Sequence, residues 1–449
     1  MSERDGERWL RVLPRVFRAQ LEDRPALRAT IGNSGWLLLD RLVRVVIGLL
    51  VGAWVARYLG PARFGDLAYA LAFIAFFQAI ANLGADGIIV RDIAQDRTLA
   101  PNILGTALVL RLGVGVASWA AATAGVALLN GIGDESVVLV AIAGGVLIFQ
   151  AADTVDLWFQ SQSQSRRTVA AKLSAYLLSN GGRIGLILAG ASLEAFAAMT
   201  ALESGISAVG LLVAYRRFPT DKGWRMLRRQ AAQLVRESWP FMVSGVSIMV
   251  YMRIDQIMIK EMLGARELGL YAAALPLSQV WQVFPSILAT SLAPVIARKK
   301  AQGEILYRRA IVSVFRAFFY AGLVCTLLTV VFASSMITLL YGSTYDGAAS
   351  ALRVHVISNV FCFLGIGHGL WLANERRYAV RLWGTLAAGI SAVVTNLVLI
   401  PTVGLLGACY SALVSQFIAA FAINAALDRE GFLLQLRAIG LRSDARNNT

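Results

Sequence analysis

Apolar runs of about twenty residues or more follow one another along almost the whole chain. Short turns such as LGPARFG, NGIGDES, LGARELG, YGSTYDG and NERRYAV separate them. A helix of that length, rising about 1.5 Å per residue, crosses the ~30 Å hydrocarbon core of a bilayer. The pattern predicts spans over 33–57, 66–90, 104–129, 136–160, 166–190, 193–215, 238–262, 268–293, 310–333, 349–373, 378–400 and 403–427. An all-α integral membrane protein of about twelve transmembrane helices follows. Composition agrees: 57% of the 449 residues are hydrophobic and 15% charged, where a soluble chain averages about 25%.

The pattern also repeats. Residues 59–71, LGPARFGDLAYAL, match 263–275, LGARELGLYAAAL, at an offset of 204, and Gln78 falls on Gln282 at that offset. Both copies lie in the turn after the first helix of a six-helix unit. The expectation is two six-helix lobes, 31–215 and 238–427, related by a pseudo-two-fold along the membrane normal. A basic linker, 216–237, joins them. A basic amphipathic segment, 1–30, precedes them and a tail, 428–449, follows.

Charge then sets orientation. The net charge is +15, but thirty of the 42 Lys and Arg fall in the tails and loops of one side, and four in loops of the other. Cytoplasmic loops carry such an excess, so both termini are expected in the cytoplasm. The basic balance therefore reads as a topology signal, and nucleic acid is not an expected partner. The N-terminus lacks the apolar core of a signal peptide. Cys325, Cys362 and Cys409 lie in apolar segments without metal-ligand spacing and read as buried side chains.

The informative anomaly is charge inside the spans. A charge near the centre of a membrane helix costs about 2.5–3.5 kcal/mol and normally faces a bundle interior or a wet cavity. The cations Arg41, Arg44, Arg111, Lys172, Arg183, Arg253, Arg316 and Arg353 lie there. So do the carboxylates Asp40, Asp153, Asp156, Glu203 and Asp255. Asp40 and Arg44 are four apart, and Arg41 and Arg44 three apart, so all can share a face. Lys172, Tyr176, Ser179 and Arg183 form one polar stripe, and Gln150, Asp153, Asp156 and Gln160 another. Arg316 and Arg353 are near span ends and can snorkel. Asp153 and Asp156 can neutralise Lys172 or Arg183. His355 and His368 are isolated and read as packed side chains, with a proton relay as the alternative. The excess of cations suits an anionic cargo, and arginine suits phosphate. Enzyme motifs are missing, no cofactor or metal is expected, and with no nucleotide-binding domain ATP is not the direct energy source.

GAWVARYLGPARFGDLAYALAF followed by NLGADGIIVRDIA resembles the start of polysaccharide-exporting Wzx-type (O-antigen) flippases. That family belongs to the multidrug/oligosaccharidyl-lipid/polysaccharide (MOP) exporter superfamily, with the lipid II flippases and the MATE multidrug exporters. DLWFQSQSQ, RIDQIMIKEMLGARELGLYAAA, LLYGSTYDGAASALRV and NLVLIPTVGLLGACYSAL look like later family segments, so the resemblance runs from about 33 to 427. It implies a MATE-like fold with alternating access in the bacterial inner membrane, and a polyprenyl-pyrophosphate-linked oligosaccharide as cargo. By helix and chemistry, Arg41, Arg44, Arg111, Lys172, Arg183 and Arg253 would bind that cargo. Asp40, Asp153, Asp156, Glu203 and Asp255 would balance charge or couple transport to a proton or sodium ion. A monomer, in contact with membrane lipids and with a polysaccharide polymerase as a potential associate, is expected. The alternatives are a MATE-type ion-coupled drug antiporter, a lipid II-like precursor flippase, and a membrane glycosyltransferase or polymerase. The last would need a large catalytic loop, and the longest loop here is the linker.

Overall fold

The computed structural model describes residues 25–218 and 223–441, with side chains from residue 40. The expected segment 1–30 therefore lies largely outside the described residues. All regular structure among the described residues is helical.

The chain first rises through α1 (25–59), breaks at Gly60, and returns through α2 (61–81). Gly60 has φ 74°, a left-handed conformation that a side chain disfavours, and Pro61 starts the next helix where its missing N–H is not needed. α3 (Asp86–Gln95) and α4 (Ala100–Asn130) follow. The fourth crossing is in pieces: α5 (Glu135–Ala143), α6 (Val146–Phe149), a 3₁₀ turn and α7 (Asp153–Ser161). α8 (Ser165–Leu188) and α9 (Leu193–Arg216) complete the first half.

The second half repeats the plan. α10 (Arg228–Leu263) turns at Gly264, φ 95°, into α11 (Ala265–Gln279) and its continuation α12 (Val283–Gln302). α13 (Glu304–Tyr341) precedes a second broken crossing, α14 (Ala348–His355) and α15 (Ser358–Asn374). α16 (Tyr378–Val403), α17 (Leu405–Phe417), a π-turn and α18 (Ile423–Leu427) end the bundle. α19 (Arg429–Ala438) lies beyond it, so the expected tail begins as a helix.

Among the described residues, ten helical stretches are long and apolar enough to cross a membrane. The first of them, Asp40–Gln95, runs through most of α1 and all of α2, and α8, a 24-residue helix whose polar stripe holds Lys172, Ser179, Asn180 and Arg183, adds one more. Twelve crossings result. Rows of large apolar side chains, among them Leu128, Leu327, Val331 and Leu339, stay exposed. Such surface suits a lipid solvent, and the chain is a multi-pass membrane protein. Several boundaries differ from expectation, two of them at helix starts: α10 begins at Arg228 rather than 238 and α13 at Glu304 rather than 310. Each helix runs on into a basic, amphipathic turn that the apolar pattern cannot register.

Packing divides the molecule. One core at the end holding the Gly60 and Gly264 turns draws on both halves, uniting Val55, Tyr69 and Leu139 with Leu268, Tyr271 and Tyr345. At the opposite, linker end two cores are separate. One holds Ile89, Trp158 and Tyr215, the other Tyr307, Phe315 and Trp371. The halves are thus fused at the turn end. Each encloses a cavity of its own, of about 460 Å³ in the N-lobe and about 630 Å³ in the C-lobe. Gln78 lines the first and its repeat counterpart Gln282 the second.

Candidate functional site

The N-lobe cavity is walled by α1, α2, the broken fourth crossing, α8 and α9, with Met249 of α10 at its edge. Its polar lining is Asp40, Arg44, Gln78, Asn82, Gln150, Asp153, Lys172 and Glu203, with Ser204 and Ser207. One helical turn places Asp40 against Arg44: the guanidinium Nε donates to both carboxylate oxygens, at 2.9 and 3.0 Å. The same guanidinium lies 4.7 Å from the ring centre of Tyr176, whose hydroxyl donates to the Arg44 carbonyl at 2.9 Å. Arg44 is therefore held by its own helix and by α8. Arg41 points to an exposed position instead.

Lys172 reaches from α8 to the fourth crossing and meets Asp153 at 2.8 Å and Asp156 at 2.7 Å. The 3₁₀ turn Gln150–Ala152 immediately precedes these two carboxylates, which Lys172 bridges. Farther along the α8 stripe, Arg183 pairs with Glu203 of α9 at 3.2 Å and contacts the Asn180 side-chain oxygen at 3.5 Å. Three cations thus pair with four carboxylates in and beside the cavity, whose lining itself holds Arg44 and Lys172 against Asp40, Asp153 and Glu203. The excess of positive charge expected from the sequence is not gathered in this cavity. The reason is placement: the spare cations of the spans sit elsewhere. Arg111 is buried against Asp86 at the start of α3 and donates to the Asn82 carbonyl at 3.4 Å, outside the cavity lining. Arg316 is exposed, and Arg353 donates to the Ser334 hydroxyl.

In the C-lobe, Asp255 lines the cavity and accepts from the Tyr271 hydroxyl and, at 2.8 Å, from the Gln256 N–H. Arg253, two residues away, is half-buried and reaches no carboxylate among the described residues. Neither histidine is isolated. His355 Nδ1 lies 2.9 Å from the Ser278 hydroxyl, and His368 Nε2 lies 2.9 Å from Asp428 Oδ2. Asp428 also accepts from the Trp371 indole at 2.9 Å, from Arg377, and from the Gly431 N–H at 3.3 Å. Burial pushes this carboxyl up, but His368, Gly431 and Arg377 outweigh burial and hold it below the usual range.

A second constellation closes the turn end. Lys260 of α10 sits 2.8 Å from Asp66 of α2, lies over the Tyr69 ring at 4.5 Å, and bonds the Ser136 hydroxyl. Tyr69 donates to Glu261 at 2.6 Å. Arg57 donates to the carbonyls of Thr338 and Leu339 at the end of α13, and Tyr345 donates to the Ala56 carbonyl at 2.7 Å. These ties join the two lobes. Sequence reasoning placed Lys260 in an outer loop and missed it. The available signal was scarcity, since it is one of four basic loop residues at that end.

Comparison with known proteins agrees with the fold. A search among curated proteins found no sequence match. Among solved structures, the chain superimposes on an inward-facing multidrug resistance MATE family transporter of the MOP superfamily with a TM-score of 0.71 and 17% identity, over 90% of this chain and 98% of that one. The lipid II flippase MurJ in an inward closed conformation gives 0.69 and 11%, over 89% and 90%. A MOP superfamily transporter from Pyrococcus furiosus, described as having a binding pocket of reverse polarity, gives 0.61 and 17%, over 93% and 96%. The sequence profile of the polysaccharide biosynthesis protein family matches residues 31–300, and this chain belongs to that family.

Proposed function

We propose that the protein flips a polyprenyl-pyrophosphate-linked oligosaccharide, a repeat unit of a surface polysaccharide, across the bacterial cytoplasmic membrane by alternating access. The observation that carries this reading is the N-lobe cavity, set within a membrane bundle of the polysaccharide biosynthesis family and built around Arg44 and Lys172. A guanidinium and an ammonium are the side chains suited to hold a pyrophosphate, one by a bidentate fork and the other as a point charge. The linker end, rich in Lys and Arg, is the cytoplasmic side in this reading, and the turn end is the outer side.

The ion pairs give the mechanism its form. In a resting cavity, uncompensated cations inside the membrane are costly, and Asp40, Asp153, Asp156 and Glu203 offset them. An entering pyrophosphate exchanges for Asp153 and Asp156 at Lys172 and shares Arg44 with Asp40. The polyprenyl tail stays in lipid between the lobes. With the turn end closed by Lys260 and Arg57, entry is from the linker end. Release requires those ties to part. Arg111 acts indirectly, holding α3 through Asp86, and Arg253, half-buried beside Asp255, meets the cargo from the C-lobe side.

The test replaces Arg44 and Lys172 separately by Ala in cells, with membrane insertion verified. Loss of surface glycan in both is the expected result. Undiminished export in both refutes the reading. One observation favours a second reading: a lining of three carboxylates, Asp40, Asp153 and Glu203, against the two cations Arg44 and Lys172 would also suit a cationic drug. Binding assays with a cationic dye and with inorganic pyrophosphate separate the two, and retention of the dye alone selects the antiporter.

A further inference from the structure

His368 stands on α15, where it is 3% exposed yet lines the C-lobe cavity. Asp428, wholly buried behind it, joins the end of α18 to α19. Four donors converge on this carboxylate: His368 Nε2, the Trp371 indole, the Gly431 N–H and Arg377. A carboxylate so surrounded is ionised and only accepts, which fixes the histidine tautomer with its proton on Nε2. The lone pair is then on Nδ1, which bonds no described side chain on the cavity side. The pairing is that of an acid–base imidazole held and compensated by a buried carboxylate.

We propose that His368 is the proton-carrying group of this protein, its Nδ1 taking a proton from cavity water while Asp428 balances the imidazolium so formed. The inference rests on the transport reading and names its coupling ion. As the lobes rock, the C-lobe cavity meets water from alternate sides. A proton bound to Nδ1 on one side is released from it on the other, and the neutral Nε2–H imidazole is restored.

The surrounding charges permit this. Across the cavity stand Asp255 of α10 and Arg381 of α16. An Arg381 terminal nitrogen lies 3.6 Å from where a side chain on neighbouring Gly369 would begin, so this cation opposes protonation while Asp428 favours it. From α13, the Phe315 ring lies 6.2 Å from the His368 ring. On the buried side, Arg377 also meets Glu430, which pairs with Arg308. Lys300 is engaged by Glu375.

The chain has two histidines, so histidine-labelled protein in nanodiscs gives two imidazole signals, and His355→Gln assigns them. The expected His368 signal has Nε2 protonated throughout, with Nδ1 bare in the resting state and gaining its proton on acidification. An Nδ1–H tautomer, or no titration, overturns the proposal whatever transport does. A second arm uses proteoliposomes with a polyprenyl-pyrophosphate-linked disaccharide as probe. A gradient of about one pH unit should drive wild-type translocation up to ~10-fold, and His368→Gln should abolish that drive while leaving gradient-free exchange intact. Equal gradient dependence in His368→Gln and wild type also overturns it. If the wild type moves no probe under any gradient, the flippase reading fails, and the imidazole titration still decides whether His368 is a proton site.

Discussion

Gly65 and Gly269, 204 residues apart, pack reciprocally across the junction of the two lobes. A Cβ on Gly65 would fall on the carbonyl of Ala265, and a Cβ on Gly269 would fall on the carbonyl of Pro61. Pro61 and Ala265 are themselves 204 apart, so one contact is the symmetry image of the other. Only a two-fold relation between the halves produces that exchange, and the local axis passes between the two glycines. Here the backbones touch without intervening side chains.

Adding a methyl at either glycine must push the lobes apart at the turn end. Overpacking a tight contact costs about 1–3 kcal/mol, and a clash with backbone belongs at the upper end. Gly65→Ala and Gly269→Ala should each lower the melting temperature of the purified protein and raise labelling of Cys409, buried in the turn-end core, by a membrane-impermeant thiol reagent. The double variant should be less destabilised than the sum, because the first methyl has already opened the contact. Strict additivity would mean that the two contacts do not share one interface.

Lys260 should act as a lock on the same end. Its pair with Asp66 has side chains 13% and 20% exposed. Its value therefore lies between the ~1 kcal/mol of an exposed pair and the ~3–5 kcal/mol of breaking a buried one. Asp66→Asn and Lys260→Met should shift the population toward the outward-open form, read by spin-label distances between α2 and α11 at the turn end. Lys260→Arg should restore the closed form in part. If distances in all three variants match the wild type, the closure is carried by packing around Gly65 and Gly269 alone.

The membrane helices and the repeat were legible because both are written in local pattern. Apolar length marks a span, and LG followed five residues later by G marks each turn. The Asp40–Arg44 pair was legible for the same reason, one helical turn being a fixed spacing. Lys172 had two readable partners, but which of Lys172 and Arg183 they would meet depended on the register of α7 against α8. That register is set by tertiary packing. The partner of Arg111 was not legible because Asp86 belongs to a short helix after α2 that apolar counting merges into the span. His368 appeared isolated because Asp428 lies 60 residues away in an assumed tail.

Removing both carboxylates beside Lys172 tests the exchange of ion pairs directly. Asp153→Asn/Asp156→Asn leaves the ammonium near two neutral amides that hold it less strongly. Inorganic pyrophosphate should then bind at least ~10-fold more tightly, since displacing one charged hydrogen bond is worth about 1.5–3 kcal/mol. Export in cells should nevertheless fall, because the carboxylates no longer help to expel the head group. Titration calorimetry on the purified variant checks the first half, and surface glycan quantification the second. Unchanged pyrophosphate affinity would mean that Lys172 is a structural brace.

Asp428 should make docking of α19 sensitive to acid. Its carboxyl is held below the usual range in the folded protein, so the unfolded or undocked chain binds a proton more readily. Stability therefore rises with pH through the acid range. The contribution is complete above about pH 4, the ordinary aspartate value, and is lost as pH falls through the lower folded value. Protonation removes the charge that Arg377 and the His368–Trp371 pair share, at about 1.5–3 kcal/mol for each charged hydrogen bond weakened. Limited proteolysis between α18 and α19 should be slow at neutral pH and accelerate below pH ~4. Asp428→Asn should be cleaved at neutral pH at the rate the wild type reaches in acid, and should show little further pH dependence. Asp134, whose carboxyl is lowered by the Ser136 hydroxyl and N–H at the start of α5, provides the control at the other end of the molecule. Asp134→Asn should fray α5 without altering cleavage at α19, so a shared effect would point to global acid unfolding rather than release of one helix.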